Sequence, residues 1–138
     1  DRNKIKILKL WAKYNGFNNV YFSNPAKIIK NSTMNDFAIS DLMISDTSSI
    51  IYEYLITKKP IIIANNDYDQ LHNMPDELSV LSIAKSYDGE KSSISELVKS
   101  DLEDKNLINI YEKMLNNCFY FNDGKSTDRA VEFIKSIK

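Results

Sequence analysis

Three apolar residues, Leu42, Met43 and Ile44, run into a polar turn from Ser45 to Ser49, and the pattern then changes period. From Ile50 to Lys59 the apolar positions suit a helix, Pro60 stops it, and Ile61, Ile62 and Ile63 follow as a second apolar run. This order predicts a strand, a turn, a helix and a second, buried strand. Around that unit, Ile5, Leu8 and Trp11, with Ile7 and Tyr14 less regularly, predict an amphipathic first helix closed by Asn15-Gly16. Val20-Tyr21-Phe22 predicts a short strand, broken by Asn24-Pro25, with loop to Ser32. Thr33 to Ser40 predicts a short helix, and Asn65 to Asp76 a loop rich in Asn and Asp. Residues 77–86 fit either a helix or an irregular crossing, and Asp88-Gly89 a turn. Helices are predicted over Ser93 to Asp101, Leu107 to Cys118 and about Ser126 to Ile137. The last carries Ala130, Phe133, Ile134 and Ile137 on one face. Alternating strands and helices argue for an α/β fold with parallel strands and right-handed crossovers. No internal repeat and no low-complexity linker interrupts it.

The chemistry concentrates where the central helix begins. A helix N-terminus leaves backbone N–H groups unsatisfied and carries partial positive charge, so it attracts phosphate. Asp46 or Thr47 is the expected N-cap, with the Ser48 and Ser49 hydroxyls in the first turn. Glu53 follows Ser49 by four residues, which puts both on one helix face. A carboxylate there suits two vicinal hydroxyls of a ribose whose phosphates rest on the helix end. The same residues also suit an ordinary capped helix with a solvated glutamate. In open α/β sheets ligands bind beyond the carboxyl ends of the strands. The loops Ser23 to Ser32, Ser45 to Ser49 and the one after Ile63, with Asn65, Asn66, Asp67 and His72, are expected to open on that edge.

The stretch ISDTSSIIYEYLITKKPIII resembles the hallmark of the CDP-glycerol glycerophosphotransferase family, bacterial enzymes of teichoic-acid and capsule synthesis. That family reads I-T-D-Y-S-S, three further residues and Asp, then a short helix and a K-P-I-I-F strand. Asp46, Ser48 and Ser49 fall on its Asp and Ser-Ser, Glu53 on its acidic residue, and Thr47 on its Tyr. Asn122-Asp123-Gly124-Lys125-Ser126, with Arg129 three residues later, is similar to the family's closing D-G-K-A-S-x-R element. Asn66-Asp67-Tyr68 is similar to its Y-D-L segment. The likeness covers roughly residues 19–138 in the family's order, and the family's Pro-Gly-Pro and His-Pro elements are not matched.

The resemblance implies a Rossmann-like parallel sheet flanked by helices, the second half of a GT-B type transferase. Residues 1–138 would be one nucleotide-binding domain of a longer two-domain enzyme, as the start at Asp1 also suggests. It implies a CDP-glycerol donor, a polymer or glycolipid acceptor, and no cofactor. Asp46, Thr47, Ser48, Ser49 and Glu53 would bind nucleotide and phosphate, with Asp123, Lys125 and Arg129 as candidate substrate-proximal residues. The catalytic base is expected in the missing N-terminal domain, so this fragment alone is expected to be inactive. Localisation would be cytoplasmic, with the inner face of the bacterial membrane reachable through the rest of the protein. A UDP-sugar glycosyltransferase or 2-epimerase of the same architecture, or a non-catalytic α/β interaction module, are the competing readings.

Composition narrows this further. The chain has 138 residues, 43% hydrophobic and 27% charged, enough for one core. A formal net charge of −1 supplies no global basic field for nucleic acid or membrane. The single cysteine excludes an intrachain disulfide framework, and Cys118, among Leu115, Phe119 and Phe121, reads as an apolar thiol rather than a nucleophile. No apolar run approaches the roughly 18 residues of a membrane span, and no signal peptide is visible. Asp67 and Asp69 make a poor metal site without further ligands, so none is expected. His72, the only histidine, fits a surface role better than a catalytic one.

Overall fold

The computed structural model describes residues 2–22, 33–64, 74–89, 93–121 and 123–137. The chain divides into two compact units, Asp1–Asp36 and Phe37–Lys138.

The first unit carries helix α1 (Arg2–Tyr14). The helix stops because Gly16 takes φ +70°, a left-handed backbone that side chains disfavour. Gly16 N–H then bonds the Lys13 carbonyl at 3.2 Å, and Phe17 N–H reaches back to Ala12 at 3.0 Å. These two bonds form a Schellman ending, and its usual apolar contact is present as Phe17 against Trp11, ring centroids 5.3 Å apart. The predicted strand at Val20-Tyr21-Phe22 does not form, for these residues are irregular and Tyr21 is 91% exposed. An apolar trio is a strand only when another strand pairs with it, and none among the described residues does.

Helix α2 (Thr33–Ile39) buries Phe37, and in the second unit β1 (Met43–Ser45), α3 (Ile50–Tyr54) and β2 (Ile61–Ala64) follow as the apolar pattern predicts. A 3-10 turn, Leu55–Thr57, extends α3 and closes on Lys58 at φ +54°. Two more 3-10 turns, Asp76–Leu78 and Val80–Ser82, occupy the undecided stretch and lead into β3 (Lys85–Tyr87). Helices α4 (Ile94–Glu103), α5 (Leu107–Cys118) and α6 (Ser126–Ser136) complete it.

The strands form a parallel sheet in the order β1-β2-β3. With helices around this sheet the fold is α/β and Rossmann-like. Ile61, Ile62 and Ile63 are fully buried, as a central parallel strand covered on both faces requires. Ile61 and Ile63 pack with Ile51, Tyr54, Leu55, Tyr111, Met114 and Leu115 in the main core. Across the other face, α4 sends buried Asp101 to Lys85 of β3, Oδ1 to Nζ 2.5 Å. That contact is electrostatic, because its angles leave Oδ1 without a well-formed hydrogen bond. Lys85 also donates to Ser100 Oγ at 2.6 Å.

The amino edge of the sheet is closed by side chains. The Lys59 ammonium donates to the carbonyls of Phe37, Ala38 and Ser40 at 3.1, 2.8 and 2.6 Å, capping the end of α2 with charge of the right sign. The Tyr111 hydroxyl accepts from Ile61 N–H at 3.0 Å and donates to the Ile61 carbonyl at 3.3 Å. Burial pushes that hydroxyl up to about 12 from 10.0, because a buried phenolate would lose its hydration. Tyr54 packs edge-on against Phe37 and shares a 2.9 Å hydrogen bond with Ser40.

Candidate functional site

Parallel pairing brings the carboxyl ends of the strands to one edge. Ser45 pairs beside Ile63, and Ala64 beside Tyr87, so the Asp46–Ser49 turn, the segment after Ala64 and Asp88-Gly89 all leave from that edge. Gly89 takes φ +83°, which the sharp exit from β3 requires. Residues 65–73, with Asn65, Asn66, Asp67, Asp69 and His72, lie outside the described residues, as does the Ser23 to Ser32 loop. The metal and histidine readings fall there too. Among the described residues no group of three or more His, Cys, Asp or Glu could hold a metal ion.

The turn into α3 differs from expectation in one respect. Neither Asp46 nor Thr47 is the N-cap; that position is Ser49, whose side chain makes no cap hydrogen bond. Ser49 already has helical dihedrals, φ −59° and ψ −20°, and the Ser48 carbonyl takes the first bond, from Ile51 N–H at 3.2 Å. Burial of Ile51, Tyr54 and Leu55 sets the phase of the helix, and a helix phased this way starts two residues later than the hydroxyl pattern suggests. Tyr52 N–H likewise bonds the Ser49 carbonyl at 3.1 Å, so what the turn offers an acceptor from outside is chiefly its exposed Ser48 and Ser49 hydroxyls. Asp46, Ser48, Ser49 and Glu53 are exposed, and Thr47 is half-buried. Ser49 and Glu53 stand one turn apart, as predicted. The five-residue α3 has little macrodipole, so the local hydroxyl donors dominate what the turn offers an anion.

The second predicted cluster also assembles. Asp123 Oδ1 accepts from Lys125 N–H at 3.0 Å, folding the turn, and Gly124 supplies the left-handed residue at φ +72°. Arg129, one turn into α6, forks onto both Asp123 oxygens at 2.9 and 3.1 Å, and its guanidinium sits 4.4 Å from the Phe121 ring centre. The Arg129 hydrogen bonds, and then that from Lys125, hold the Asp123 carboxyl below its usual range. The pair is therefore complete at neutral pH and fades as pH falls through that lowered value. Neither Ser48, Ser49 nor Glu53 is bonded to Asp123 or Arg129, so the structure presents two clusters rather than one joined site.

A family profile described as CDP-glycerol:poly(glycerophosphate) glycerophosphotransferase matches residues 13–136. The chain belongs to this family. No curated protein and no solved structure gives a significant match. Membership in the glycerophosphotransferase family implies a transferase with a CDP-glycerol-type donor and a polymer acceptor. The matched span contains both polar clusters, while Arg2 to Ala12 precede it.

Grooves are also open elsewhere among the described residues. One of about 560 Å³ lies between Ile44 of β1 and Ile94, Val98 and Leu102 of α4. Another, about 370 Å³, sits by Lys59 and Asp101 at the amino edge. Neither includes a predicted site residue. Cys118 donates to the Leu78 carbonyl at 3.5 Å, and burial pushes its thiol up, away from thiolate chemistry. Sequence reasoning missed Lys59 and Tyr111, both structural. Nothing local distinguishes Lys59 from Lys58 in Lys-Lys-Pro, or Tyr111 from the other tyrosines.

Proposed function

We propose that this glycerophosphotransferase domain binds the nucleotide diphosphate donor at the carboxyl edge of its sheet. It would form the second domain of a GT-B type enzyme that builds wall teichoic acid or a capsular polysaccharide. The single observation that carries the reading is the family match across an exposed Ser-Ser turn at that edge. The Ser48 and Ser49 hydroxyls hold the donor phosphates, with Asp46 and Thr47 shaping the turn. Glu53, one turn along, accepts from the ribose hydroxyls. Asp123, Lys125 and Arg129 lie on the substrate side, with Arg129 held ready by Asp123.

In the reaction, an acceptor hydroxyl attacks the phosphoryl group that carries the glycerol. A new P–O bond forms, the bridging P–O bond to CMP breaks, and the acceptor proton goes to a base in the preceding domain. The Ser48–Ser49 turn stabilises charge that builds on the phosphoryl oxygens and on departing CMP. Positioning acceptor, base and leaving group together is most of what such a transfer needs. The 138-residue chain supplies only the leaving-group wall and therefore releases no CMP alone.

Calorimetry on the full-length protein with CDP, CMP, cytidine and UDP tests this. CDP is expected to bind more tightly than CMP, because the turn engages both phosphates. Equal affinity for CDP and cytidine would remove the phosphate site, and tighter binding of UDP would redirect the reading to a nucleotide-sugar enzyme.

A further inference from the structure

The chain has three glycines, and each follows a side chain able to close a ring onto it: Asn15-Gly16, Asp88-Gly89 and Asp123-Gly124. All three glycines have positive φ, at +70, +83 and +72°, and a Cβ at any of them would meet nothing within 4 Å. With no Cβ beside it, a glycine nitrogen can reach the side-chain carbonyl carbon of the residue before it and form a five-membered succinimide. The three pairs differ in what that side chain is and in what holds it. Asp123 is gripped by the Arg129 guanidinium and by Lys125 N–H, and these bonds keep its carboxyl ionised at neutral pH. An ionised carboxylate is a poor electrophile, so this pair is inert. Asp88 is likewise a carboxyl side chain with a partner. Asn15 is a neutral amide with ammonia as its leaving group, it is exposed at the end of α1, and no other asparagine in the chain precedes a glycine.

We propose that Asn15-Gly16 is a site of spontaneous deamidation, gated by the Schellman end of α1. The Gly16 nitrogen gives its proton to a base from solvent and attacks Asn15 Cγ. An N–C bond forms, the Cγ–Nδ2 bond breaks, and ammonia leaves with a proton from water. A second water opens the succinimide at either carbonyl, giving aspartate or isoaspartate at position 15. In the closed end neither reacting group is at liberty. Asn15 Nδ2 donates to the Trp11 carbonyl at 2.8 Å, which holds the amide back along the helix. Gly16 N–H donates to the Lys13 carbonyl at 3.2 Å, which retains the proton that must leave. Phe17 N–H on the Ala12 carbonyl at 3.0 Å, and the Phe17 ring against Trp11, lock the same turn. The reaction therefore runs from the opened end, a local fluctuation that costs little at a helix terminus. Its product keeps the end open. A carboxylate at position 15 is repelled by the Trp11 carbonyl and by the negative end of the helix. Isoaspartate also adds a backbone methylene, which moves Gly16 and Phe17 out of register with Lys13 and Ala12. Every group involved lies between Trp11 and Phe17, so the step is independent of the donor site.

The full chain is incubated at mildly alkaline pH, in buffer and in urea, then digested for peptide mass mapping, with enzymatic methylation of isoaspartate as a second readout. In buffer, mass gain and isoaspartate are expected first at residue 15. The rate should rise with pH and be about tenfold slower in buffer than in urea, the factor that one closed hydrogen bond of about 1.4 kcal/mol supplies. Phe17→Ala loosens the end and should bring the buffer rate close to the urea rate, whereas Asn15→Gln should suppress the modification. Circular dichroism checks that both variants keep their helices. Emission of Trp11, the only tryptophan, should move to the red as Asn15 is converted and Phe17 leaves the indole. Isoaspartate absent from residue 15, or appearing sooner in buffer at another asparagine or at Asp123, overturns the site. Equal rates in buffer and urea, or a Phe17→Ala rate equal to that of the wild type, overturn the gate. Unchanged Trp11 emission after conversion overturns the lasting release of the helix end.

Discussion

The two edges of the parallel sheet treat their polar groups in opposite ways. At the amino edge, Lys59 is bonded to three carbonyls and Tyr111 to the backbone of Ile61. At the carboxyl edge, Ser48, Ser49 and Glu53 are exposed and the Ser49 side chain makes no cap bond to α3. Groups bonded internally stabilise the fold and have little left to offer a ligand. Groups held in place without internal partners contribute little to stability and are ready for one. A substitution at the first edge should therefore change stability, and one at the second should change binding.

The largest expected effect is at Tyr111. Tyr111→Ala removes a buried ring and its hydrogen bonds and should cost about 3–5 kcal/mol in urea unfolding. Tyr111→Phe keeps the ring but leaves Ile61 N–H unsatisfied, and about 1–3 kcal/mol is expected. A Phe variant as stable as the wild type would mean that the amino edge is not closed by this hydroxyl.

Next comes Lys59→Met, which keeps the aliphatic stem and removes the cap on α2. A loss of about 1–3 kcal/mol in chemical unfolding is expected, charged hydrogen bonds to carbonyls being worth that order. Lys58 beside it should matter less, since its pairing with Glu112 is half-exposed on both sides.

Alkali offers a milder probe. The Tyr111 hydroxyl ionises near 10.0 when unfolded and about 12 when folded, so the unfolded chain loses its proton first. Its contribution to stability is full below pH 10 and declines as pH rises toward 12. Unfolding midpoints measured across that range should fall in the wild type, with a shallower fall in Tyr111→Phe.

The smallest stability effect, and the one that sharpens the contrast, belongs to Glu53→Gln. Surface changes of this kind move stability by under about 0.5 kcal/mol. Donor affinity in the full-length protein should nevertheless fall about tenfold, as a charged acceptor becomes a neutral one. A large thermal loss with unchanged donor binding would place Glu53 among the structural groups and erase the difference between the edges.

Legibility in the sequence followed the strength of the local signal. The first helix and its Gly16 stop, β1, β2 and helices α4 to α6 were readable because periodicity, Gly and Pro act within a few residues. β3 was not, since Lys-Ser-Tyr carries no apolar pattern; it is a strand because Ile62 and Ile63 of β2 pair with it. Val20-Tyr21-Phe22 has a stronger local signal and is irregular. The Ser-Ser turn was found, but the N-cap of its helix is Ser49 rather than Asp46 or Thr47.

The sequence by itself determined the order of most elements, the central strand–turn–helix–strand unit and, through its motifs, the family. These depend on neighbours along the chain, where propensity and spacing act directly. Only the tertiary structure decided that β3 joins the sheet and that Lys59 and Tyr111 close one edge. Each depends on which distant group fills a vacant hydrogen-bonding position, and that is set by packing, not by residues nearby in sequence.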